Sequence, residues 1–536
     1  MACRLNVRSF NLLGLVFLAS SFVFAQDIWV TGYYAGWMQG WENYGRLPAE
    51  EIDYSAVTHI IHFGLVPKVD GTIDSLSNSM TEVNSRELLR RAREAGKKVL
   101  ITVGGWGTDA AFRQATNPLN INRFIDNLID FMRRRGYDGI DVDWEYLDPL
   151  DEAQYVLFIQ LLRSKLDLLT PQPLLTAAVA WQPSIIALVA DHFDQINVMT
   201  YDLSGAWPGW VTWHNSPVFD GGFRFPSTLR PVPSADGMIQ DFLNAGIPPR
   251  KLGIGIDFYG YIWRGGIGTP TGGVTEPRQS WTSPPSVQPN VPYYQIKRQE
   301  YHPRFYRWDS LAHAPYLSID DPNPANDRFI SYCDERSCEA KVAYARSKGL
   351  GGVFIWELGG GYMPASFQQR DRLLQAIKHT VAGTVLAPEA PYLKSPANGA
   401  RGVPVHTNLR WYPSYQVDTY RLQISLDSLF TTLVIDTILM DPWFSLDMLE
   451  RNTQYYWKVL AANGGVQVRF HLIGRSERPI TIPFTRLRMR ARKDLPYIKI
   501  SPTHLTRRPR SYSICPYRNT SDWRFTQHWE AESKRW

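Results

Sequence analysis

Short apolar runs alternate with amphipathic segments from Ile28 to about Val381. Eight runs have the length and the β-branched or aromatic content of buried strands, and turn residues bound them. The predicted strands are Trp29–Trp37, Val57–Leu65, Lys98–Gly104, Gly139–Tyr146, Leu174–Trp181, Gln195–Asp202, Lys251–Tyr259 and Gly352–Glu357. This alternation predicts an α/β fold, a closed (β/α)8 TIM barrel, with an open doubly wound sheet as the alternative.

Helical spacing lies between several of these strands, as in Ser85–Ala95, Ile121–Arg135 and Asp151–Leu169. The gap between the seventh and eighth strands is too long for one helix and its turns. Residues 264–340 in this gap are rich in Gly, Pro, Tyr and Trp. We therefore expect a small inserted subdomain on the rim of the barrel.

The barrel pattern ends at a Pro/Ala-rich linker, residues 382–391. Beyond it, a second region has the period of strands separated by turns. Its predicted strands are Leu409–Tyr412, Tyr420–Ser425, Leu433–Asp436 and Tyr455–Ala461. These indicate a small β-sandwich over residues 392–465 that stops before it is complete.

Residues 466–536 form a basic tail without apolar periodicity. They hold 16 Lys and Arg against 5 Asp and Glu, although the whole chain has a net charge of only +6. The remaining residues are therefore mildly acidic. The tail has two interpretations: a segment that binds polyanions or acidic surfaces, or an out-of-frame translation without a selected function.

The first 25 residues have the features of a signal peptide. Arg4 and Arg8 precede an apolar run from Asn11 to Phe24, which is short for a membrane span, and small or branched residues precede Gln26. The pattern predicts secretion into the medium or the periplasm, with a membrane anchor as the alternative. Of the later cysteines, Cys333 and Cys338 could form a loop disulfide or remain as thiols.

One segment concentrates acidic side chains on a predicted strand. Asp141, Asp143 and Glu145 are spaced by two residues, so they share one face, while Asp138 lies off that parity and is expected to anchor the strand's start. In a barrel this face is the interior, with Glu145 nearest the C-terminal mouth. Burial and mutual repulsion would raise the pKa of Glu145, which suits a general acid.

Two other interpretations of these acids stay open from the residues alone. Three carboxylates can bind a divalent metal ion, although no His or further Asp cluster accompanies them. They could also line a solvated edge strand, although Ile140, Val142 and Trp144 alternate cleanly with the acids. We predict no metal and no cofactor.

The stretch Asp138-Gly139-Ile140-Asp141-Val142-Asp143-Trp144-Glu145 resembles the signature of glycoside hydrolase family 18, the chitinase family. Three further motifs resemble this family in the expected order. They are Thr102-Val103-Gly104-Gly105-Trp106, Met199-Thr200-Tyr201-Asp202 and Trp356. The resemblance covers about residues 28–380 and identifies residues 26–381 as the catalytic domain. Thr102 stands where Ser is usual, and Leu147 where Pro commonly follows.

The resemblance implies a retaining, substrate-assisted hydrolysis of β-1,4-linked N-acetylglucosamine polymers. Glu145 would protonate the leaving oxygen, and the substrate's own acetamide would attack the anomeric carbon. Asp143 would orient the acetamide, and Asp141 would buffer the charge and proton of Asp143. Tyr201 would hydrogen-bond the acetamide carbonyl, and Asp202 would contact the distorted sugar.

The same resemblance implies the residues that bind the sugar chain. Trp356 would form the floor at the cleavage point and Trp106 would stack a sugar, while the other predicted cleft residues are Gly104, Gly105, Tyr33, Tyr146 and Met199. Trp207, Trp210 and Trp213 could extend the cleft or pack in the core. The insertion resembles the α+β insertion of deep-cleft chitinases, and the sandwich resembles fibronectin type III modules.

The expected partners are chitin or chitooligosaccharides, with no nucleic acid and no membrane after signal cleavage, and the expected state is a monomer. Three rival functions remain. They are a chitin-binding lectin on the same fold, an endo-β-N-acetylglucosaminidase acting on glycans, and an inactive product of the broken sandwich. A lectin would not need a proton donor at Glu145.

Overall fold

In the computed structural model the described residues are 28–39, 47–363, 370–447, 449–464 and the backbone of the strand Arg478–Thr481. The predicted signal peptide, Cys3, Cys515 and most of the basic tail lie outside these residues. No helix within the described ranges is both long enough and apolar enough to cross a membrane.

Eight parallel strands close into a barrel, which confirms the predicted (β/α)8 fold and excludes the open sheet. The first strand pairs with the eighth through Trp29 and Gly352, and with the second through Thr31 and His59. The barrel strands are Trp29–Ala35, His59–Pro67, Lys98–Gly105, Gly139–Trp144, Leu174–Val179, Gln195–Val198, Leu252–Asp257 and Gly352–Trp356. A short strand, Ile73–Asp74, pairs antiparallel with the end of the second.

Helices surround the barrel and bury their apolar faces against its outer surface. In the helix Ile121–Arg135, buried apolar side chains recur every three or four residues, and Gly136 ends the helix at a φ of 81°. The α-helices of the described residues are Glu82–Glu94, Asp109–Ala115, Ile121–Arg135, Glu152–Leu166, Pro183–Val189, Ala235–Asn244, Tyr293–Gln299, Glu335–Ser347 and Arg372–Ala382.

The insertion between the seventh and eighth barrel strands is a five-stranded antiparallel sheet with one helix, Tyr293–Gln299. Its strands are Tyr259–Arg264, Ser286–Pro292, Tyr306–Asp309, Ala314–Ile319 and Arg328–Tyr332. The inserted sheet therefore begins and ends earlier than the predicted range of 264–340. The helix Glu335–Ser347, at the end of that range, packs against the eighth barrel strand.

The C-terminal region contains two antiparallel sheets that enclose a core with Trp411, Tyr420 and Trp457. One sheet contains Leu393–Ser395, Thr407–Trp411 and Trp443–Leu446, and the other contains Leu433–Leu439, Thr419–Ser425, Gln454–Ala462 and Arg478–Thr481. The last strand lies within the tail, where the sequence pattern predicts none. It is brought to the sheet edge by pairing with Gln454–Ala462.

Cys333 and Cys338 are buried thiols rather than a disulfide. Their sulfur atoms lie 3.6 Å apart, and both cysteines are free. A disulfide requires about 2.05 Å between the sulfurs. Of the two alternatives, the structure therefore has the thiols. Burial, and to a smaller extent the neighbouring Cys333, raises the pKa of the Cys338 thiol well above its ordinary value.

Candidate active site

The three acids of the fourth barrel strand lie on its inner face. Ile140, Val142 and Trp144 belong to the apolar core between the barrel and its helices, so the alternate side chains point into the barrel. Asp141 is 0% exposed and Asp143 is 3% exposed. Glu145 follows the last residue of the strand and is partly exposed at the C-terminal mouth.

Asp141 is held by three hydroxyl donors from neighbouring strands. Tyr33 Oη and Thr102 Oγ1 donate to its Oδ2 atom at 3.0 and 3.1 Å, and Thr176 Oγ1 donates to its Oδ1 atom at 2.6 Å. Burial raises the pKa of Asp141 to about 6, although these hydrogen bonds act in the opposite direction. Thr102 thus supplies a hydroxyl at the position where its motif departs from the family pattern.

Asp143 and Glu145 share a side-chain hydrogen bond. Burial, followed by the charge of Asp202, raises the pKa of Glu145 to about 7. Burial, followed by the charges of Glu145 and Asp141, raises the pKa of Asp143 well above its ordinary value. The carboxyls cannot all be ionised at neutral pH, so they hold protons between them.

The Oδ1 atom of Asp143 is buried and has no hydrogen-bond partner among the described residues. A buried carboxyl oxygen without a partner is costly, and such atoms concentrate at functional sites. This oxygen is therefore available to a group that a substrate brings into the barrel.

Asp202 follows the sixth strand and is held by two tyrosines of the insertion. Tyr259 Oη and Tyr261 Oη donate to its Oδ1 atom at 2.7 and 2.9 Å. Its backbone amide donates to Asn215 Oδ1 at 3.2 Å and stabilises a residue with a φ of 60°. Burial raises the pKa of Asp202 to about 6, against the effect of the two hydroxyl donors.

Tyr201 is buried beside these acids, and its ring fits there because position 255 is a glycine. A Cβ atom at Gly255 would lie 2.8 Å from Tyr201 Cε1, so any larger residue there would displace the ring. The ring also meets Phe354 and Tyr259 at centroid distances of 5.9 and 6.0 Å. Met199 lies in the same apolar cluster.

Trp356 ends the eighth strand and packs at an angle against two other rings. Its ring centroid lies 4.9 Å from that of Phe63 and 5.6 Å from that of Tyr33. Trp37, which is 39% exposed, also contacts Phe63, with a distance of 5.5 Å between the ring centroids. Together these rings form an aromatic wall at the strand ends.

Trp106 and Tyr146 lie at the ends of the third and fourth strands. Their ring centroids are 4.4 Å apart, and Trp106 is 47% exposed. An exposed indole that contacts Tyr146, the residue after Glu145, suits the stacking of a sugar ring.

Gly104 and Gly105 have φ values of 120° and 105°, which favour glycine. A Cβ atom at Gly104 would lie 1.9 Å from the carbonyl oxygen of Asp143, and one at Gly105 would lie 2.6 Å from Phe63 Cζ. Without side chains, Gly104 lets the backbone of Asp143 approach closely and Gly105 does the same for the ring of Phe63.

Several predicted residues lie away from the mouth. Asp138 joins the start of the fourth strand to the third, since its carboxylate accepts from the Val99 amide and from Lys98 Nζ, both at 2.9 Å. Trp213 is fully buried and donates to the Pro233 carbonyl at 2.8 Å, which is a core role. Trp207 is also buried.

Sequence reasoning did not find four residues of this site: Thr176, Tyr259 and Tyr261, which donate hydrogen bonds to the acids, and Phe63, which packs against Trp356. The period of each strand shows that Thr176 faces inward, but not that it reaches Asp141. Tyr259 and Tyr261 share parity on one strand, and this is a usable signal only once the insertion is known to border the mouth. Within the described ranges, no group of three His, Cys, Asp or Glu side chains is arranged to hold a metal ion.

The model of the family described as glycosyl hydrolases family 18 matches residues 30–361. The chain belongs to this family. It is 34% identical over 302 residues to Chitinase A1 of Niallia circulans, a match that covers 49% of this chain and 40% of that relative. It is 29% identical over 342 residues to the class V chitinase of Arabidopsis thaliana, covering 60% of this chain and 84% of that protein.

Solved structures give the same fold. The crystal structure of the Ostrinia furnacalis Group IV chitinase in complex with allosamidin matches with a TM-score of 0.57 and 26% identity. The match covers 67% of this chain and 100% of that one. The family and its chitinase-type relatives support a glycosidase activity for the barrel.

Proposed function

We propose that the chain is a chitinase that hydrolyses β-1,4-linked N-acetylglucosamine polymers with retention of anomeric configuration. The observation that carries this proposal is the hydrogen-bonded pair of Asp143 and Glu145. Both pKa values are raised, and the pair lies at a strand end beside the aromatic wall. A carboxyl with a pKa near 7 is protonated often enough to donate and ionised often enough to accept.

In the first step Glu145 donates its proton to the glycosidic oxygen as the bond from that oxygen to the anomeric carbon breaks. The carbonyl oxygen of the substrate's acetamide bonds to the anomeric carbon in the same step, which gives an oxazolinium ion and a free leaving alcohol. The unpartnered Oδ1 atom of Asp143 accepts the acetamide N–H and stabilises the positive charge. Tyr201 donates to the acetamide carbonyl.

In the second step a water molecule attacks the anomeric carbon and Glu145 removes its proton. The oxazolinium ring opens, the acetamide is restored, and Glu145 is protonated again. Asp141, whose pKa is about 6, moderates the charge and proton of Asp143 through these changes. Because two displacements occur at one carbon, the product retains its configuration.

The substitution Glu145→Gln tests the proton donor. Turnover of chitooligosaccharides should fall by about 10²–10⁴-fold while binding is kept, because the amide fills the same space but cannot donate an acidic proton. Glu152→Gln is the control, since Glu152 is exposed at the start of a helix on the outside of the barrel. Unchanged turnover in the Glu145 variant would refute the assignment.

The substrate and the stereochemistry need separate assays. Chitin, short chitooligosaccharides and a high-mannose glycoprotein should be compared side by side, and we expect the first two to be cleaved. Proton NMR during the first turnovers should show the β anomer of the new end. Cleavage of only the glycoprotein would favour an endo-β-N-acetylglucosaminidase, and an initial α anomer would contradict the mechanism. The presence of Glu145 argues against a purely lectin function.

Residues 1–25 are proposed to direct secretion, so the mature chain would begin at Gln26. N-terminal sequencing of protein from the medium checks this start. The two C-terminal sheets are proposed to form a fibronectin type III-like module, and the chain is proposed to act as a monomer on chitin.

A further inference from the structure

A cavity of about 340 Å³ lies between the barrel and the C-terminal sheets, and none of the candidate active-site residues lines it. Its barrel wall includes the helix Tyr293–Gln299 and the starts of two further helices, at Glu335 and Arg372. Its other wall is formed by Glu389 and Ala390 of the linker, by Tyr392 and by the loop 412–415. The volume lies within the range of about 300–1,000 Å³ for ligand sites.

Seven tyrosines line this junction cavity. Tyr392 and Tyr415 are 39% and 43% exposed, and Tyr293 and Tyr332 are buried. Tyr301 contacts Tyr392 at a centroid distance of 6.0 Å and thus continues the wall inward from it. Aromatic rings with hydroxyl edges bind pyranose rings through their faces and hydroxyl groups through their edges.

Three cationic and three anionic side chains line the cavity, so their formal charges balance; they are Lys297, Arg336, Arg372, Asp334, Glu335 and Glu389. Lys297 Nζ lies 2.9 Å from Glu389 Oε2, and Arg372 Nε lies 3.1 Å from Glu335 Oε1. Asp334, another lining residue, accepts from the hydroxyl of Tyr306 at 2.9 Å. Balanced charges present donors and acceptors but little net field, so the walls favour a neutral polar ligand over an ion.

Two buried hydroxyls in the wall lack partners. Tyr293 Oη and Tyr332 Oη are buried and make no hydrogen bond with any described residue, and Tyr293 and Tyr332 are 0% and 4% exposed. Buried hydroxyls are normally paired, and the exceptions call for a ligand or ordered water. Both belong to cavity residues, so this observation points independently to a polar occupant.

We propose that the junction cavity is a second carbohydrate site, which binds the end of a neutral oligosaccharide. The choice of N-acetylglucosamine units rests on the proposed function, whereas the class of ligand rests on the cavity itself. The C-terminal sheets supply part of the wall. Their loop is fixed by Ser414 Oγ, which donates to the Glu389 carbonyl at 2.8 Å, and by Tyr415 Oη, which donates to Glu339 at 2.7 Å.

The cavity can be filled without removing any of its polar groups. Ala390 is exposed and lines the cavity, so Ala390→Trp would place an indole inside it. Ala382→Trp is the matched control, because Ala382 is also exposed but does not line the cavity. Both changes are made in the full chain carrying Glu145→Gln, so that the ligand is not consumed.

Calorimetric titration with an N-acetylglucosamine trimer should give two sites in the parent and in the Ala382 control. Ala390→Trp should leave one site, and adding Trp356→Ala should remove that one. A stoichiometry that Ala390→Trp leaves unchanged would overturn the second site. A single site that is lost in Ala390→Trp would support the cavity and count against the proposed function, so the two failures are distinguishable.

Tyr293→Phe provides a second test that does not depend on filling the cavity. Its hydroxyl has no described protein partner, so the thermal midpoint should not fall, whereas affinity at the cavity should weaken at least tenfold. An unchanged affinity together with an unchanged midpoint would contradict a ligand role for this hydroxyl and overturn the site as proposed.

Discussion

The barrel contains two sets of buried carboxyls that are neutralised in different ways. Asp257, at the end of the seventh strand, is paired with Lys341 at 2.9 Å, and their side chains are 1% and 0% exposed. Asp141 and Asp143 are buried to a similar degree and Glu145 is partly exposed, but within the described part of the chain none of the three forms an ion pair with Lys or Arg. Within one barrel, Asp257 thus has a cationic partner, whereas the three acids of the fourth strand have none among the described residues.

The presence or absence of a neighbouring cation determines whether each set of carboxyls can exchange protons near neutral pH. Burial alone would lower the pKa of Lys341, but the charge of Asp257 raises it above its ordinary value, so Lys341 stays charged at neutral pH. The acids of the fourth strand have raised pKa values instead, so they take up and release protons in the range where an enzyme works. A cation beside Glu145 would lower its pKa and remove the general acid.

Among the substitutions that compare the two sets of carboxyls, Asp143→Asn is expected to have the largest effect. Turnover should fall by about 10²–10³-fold, because the oxazolinium ion loses its neighbouring negative charge. The free energy of unfolding should not decrease, because no cation loses its partner and one repulsive acid is removed. Steady-state kinetics and urea unfolding check both expectations. A marked loss of stability would mean that Asp143 takes part in a stabilising interaction, as Asp257 does, and would contradict the contrast between the two sets.

Lys341→Met, in contrast, should lower the stability of the chain. It leaves the buried charge of Asp257 without a cationic partner and should cost about 3–5 kcal/mol of unfolding free energy. Adding Asp257→Leu should recover most of that loss, since the uncompensated charge is gone. Lys165→Met removes a surface pair with Asp126 at 2.7 Å and should cost under about 1 kcal/mol. Equal losses in the two Lys variants, measured by urea unfolding, would contradict the interpretation.

The pH dependence of stability separates the sets further. Asp141 and Asp202 have folded pKa values of about 6 and Glu145 of about 7, above the unfolded values near 4. The folded chain therefore binds more protons between about pH 4 and 7, and these groups make stability fall as pH rises through that window. The thermal midpoint of Glu145→Gln should fall less steeply over the same window. An identical slope would mean that Glu145 does not titrate as described.

The smallest effect is expected at the insertion. Tyr261→Phe removes one of two donors to Asp202, so the pKa of Asp202 should rise and kcat/KM should fall about five- to tenfold, which corresponds to about 1–1.4 kcal/mol. Tyr344→Phe is the control, because its hydroxyl donates to Asp236 at 2.8 Å on the outer helices. A shifted pH profile in Tyr261→Phe but not in Tyr344→Phe would distinguish positioning from general destabilisation.

Local patterns predicted the repeated units of the fold but not their edges. All eight barrel strands were predicted within a few residues, because their apolar runs are long and bounded by turns. In the C-terminal region, Leu393–Ser395, Trp443–Leu446 and Arg478–Thr481 were missed, since these edge strands have only three or four residues each and give a weak periodic signal. The insertion's boundary was displaced because its first strand follows the seventh barrel strand almost without a break.

The sequence by itself determined which acids share a face, because residues two apart on a strand must point the same way. Only the tertiary structure decided what meets them. Tyr33 and Thr176 reach Asp141 across 108 and 35 residues of chain. Lys341 reaches Asp257 across 84 residues. Strand parity is local, whereas the neutralisation of a buried charge depends on which distant elements close around it.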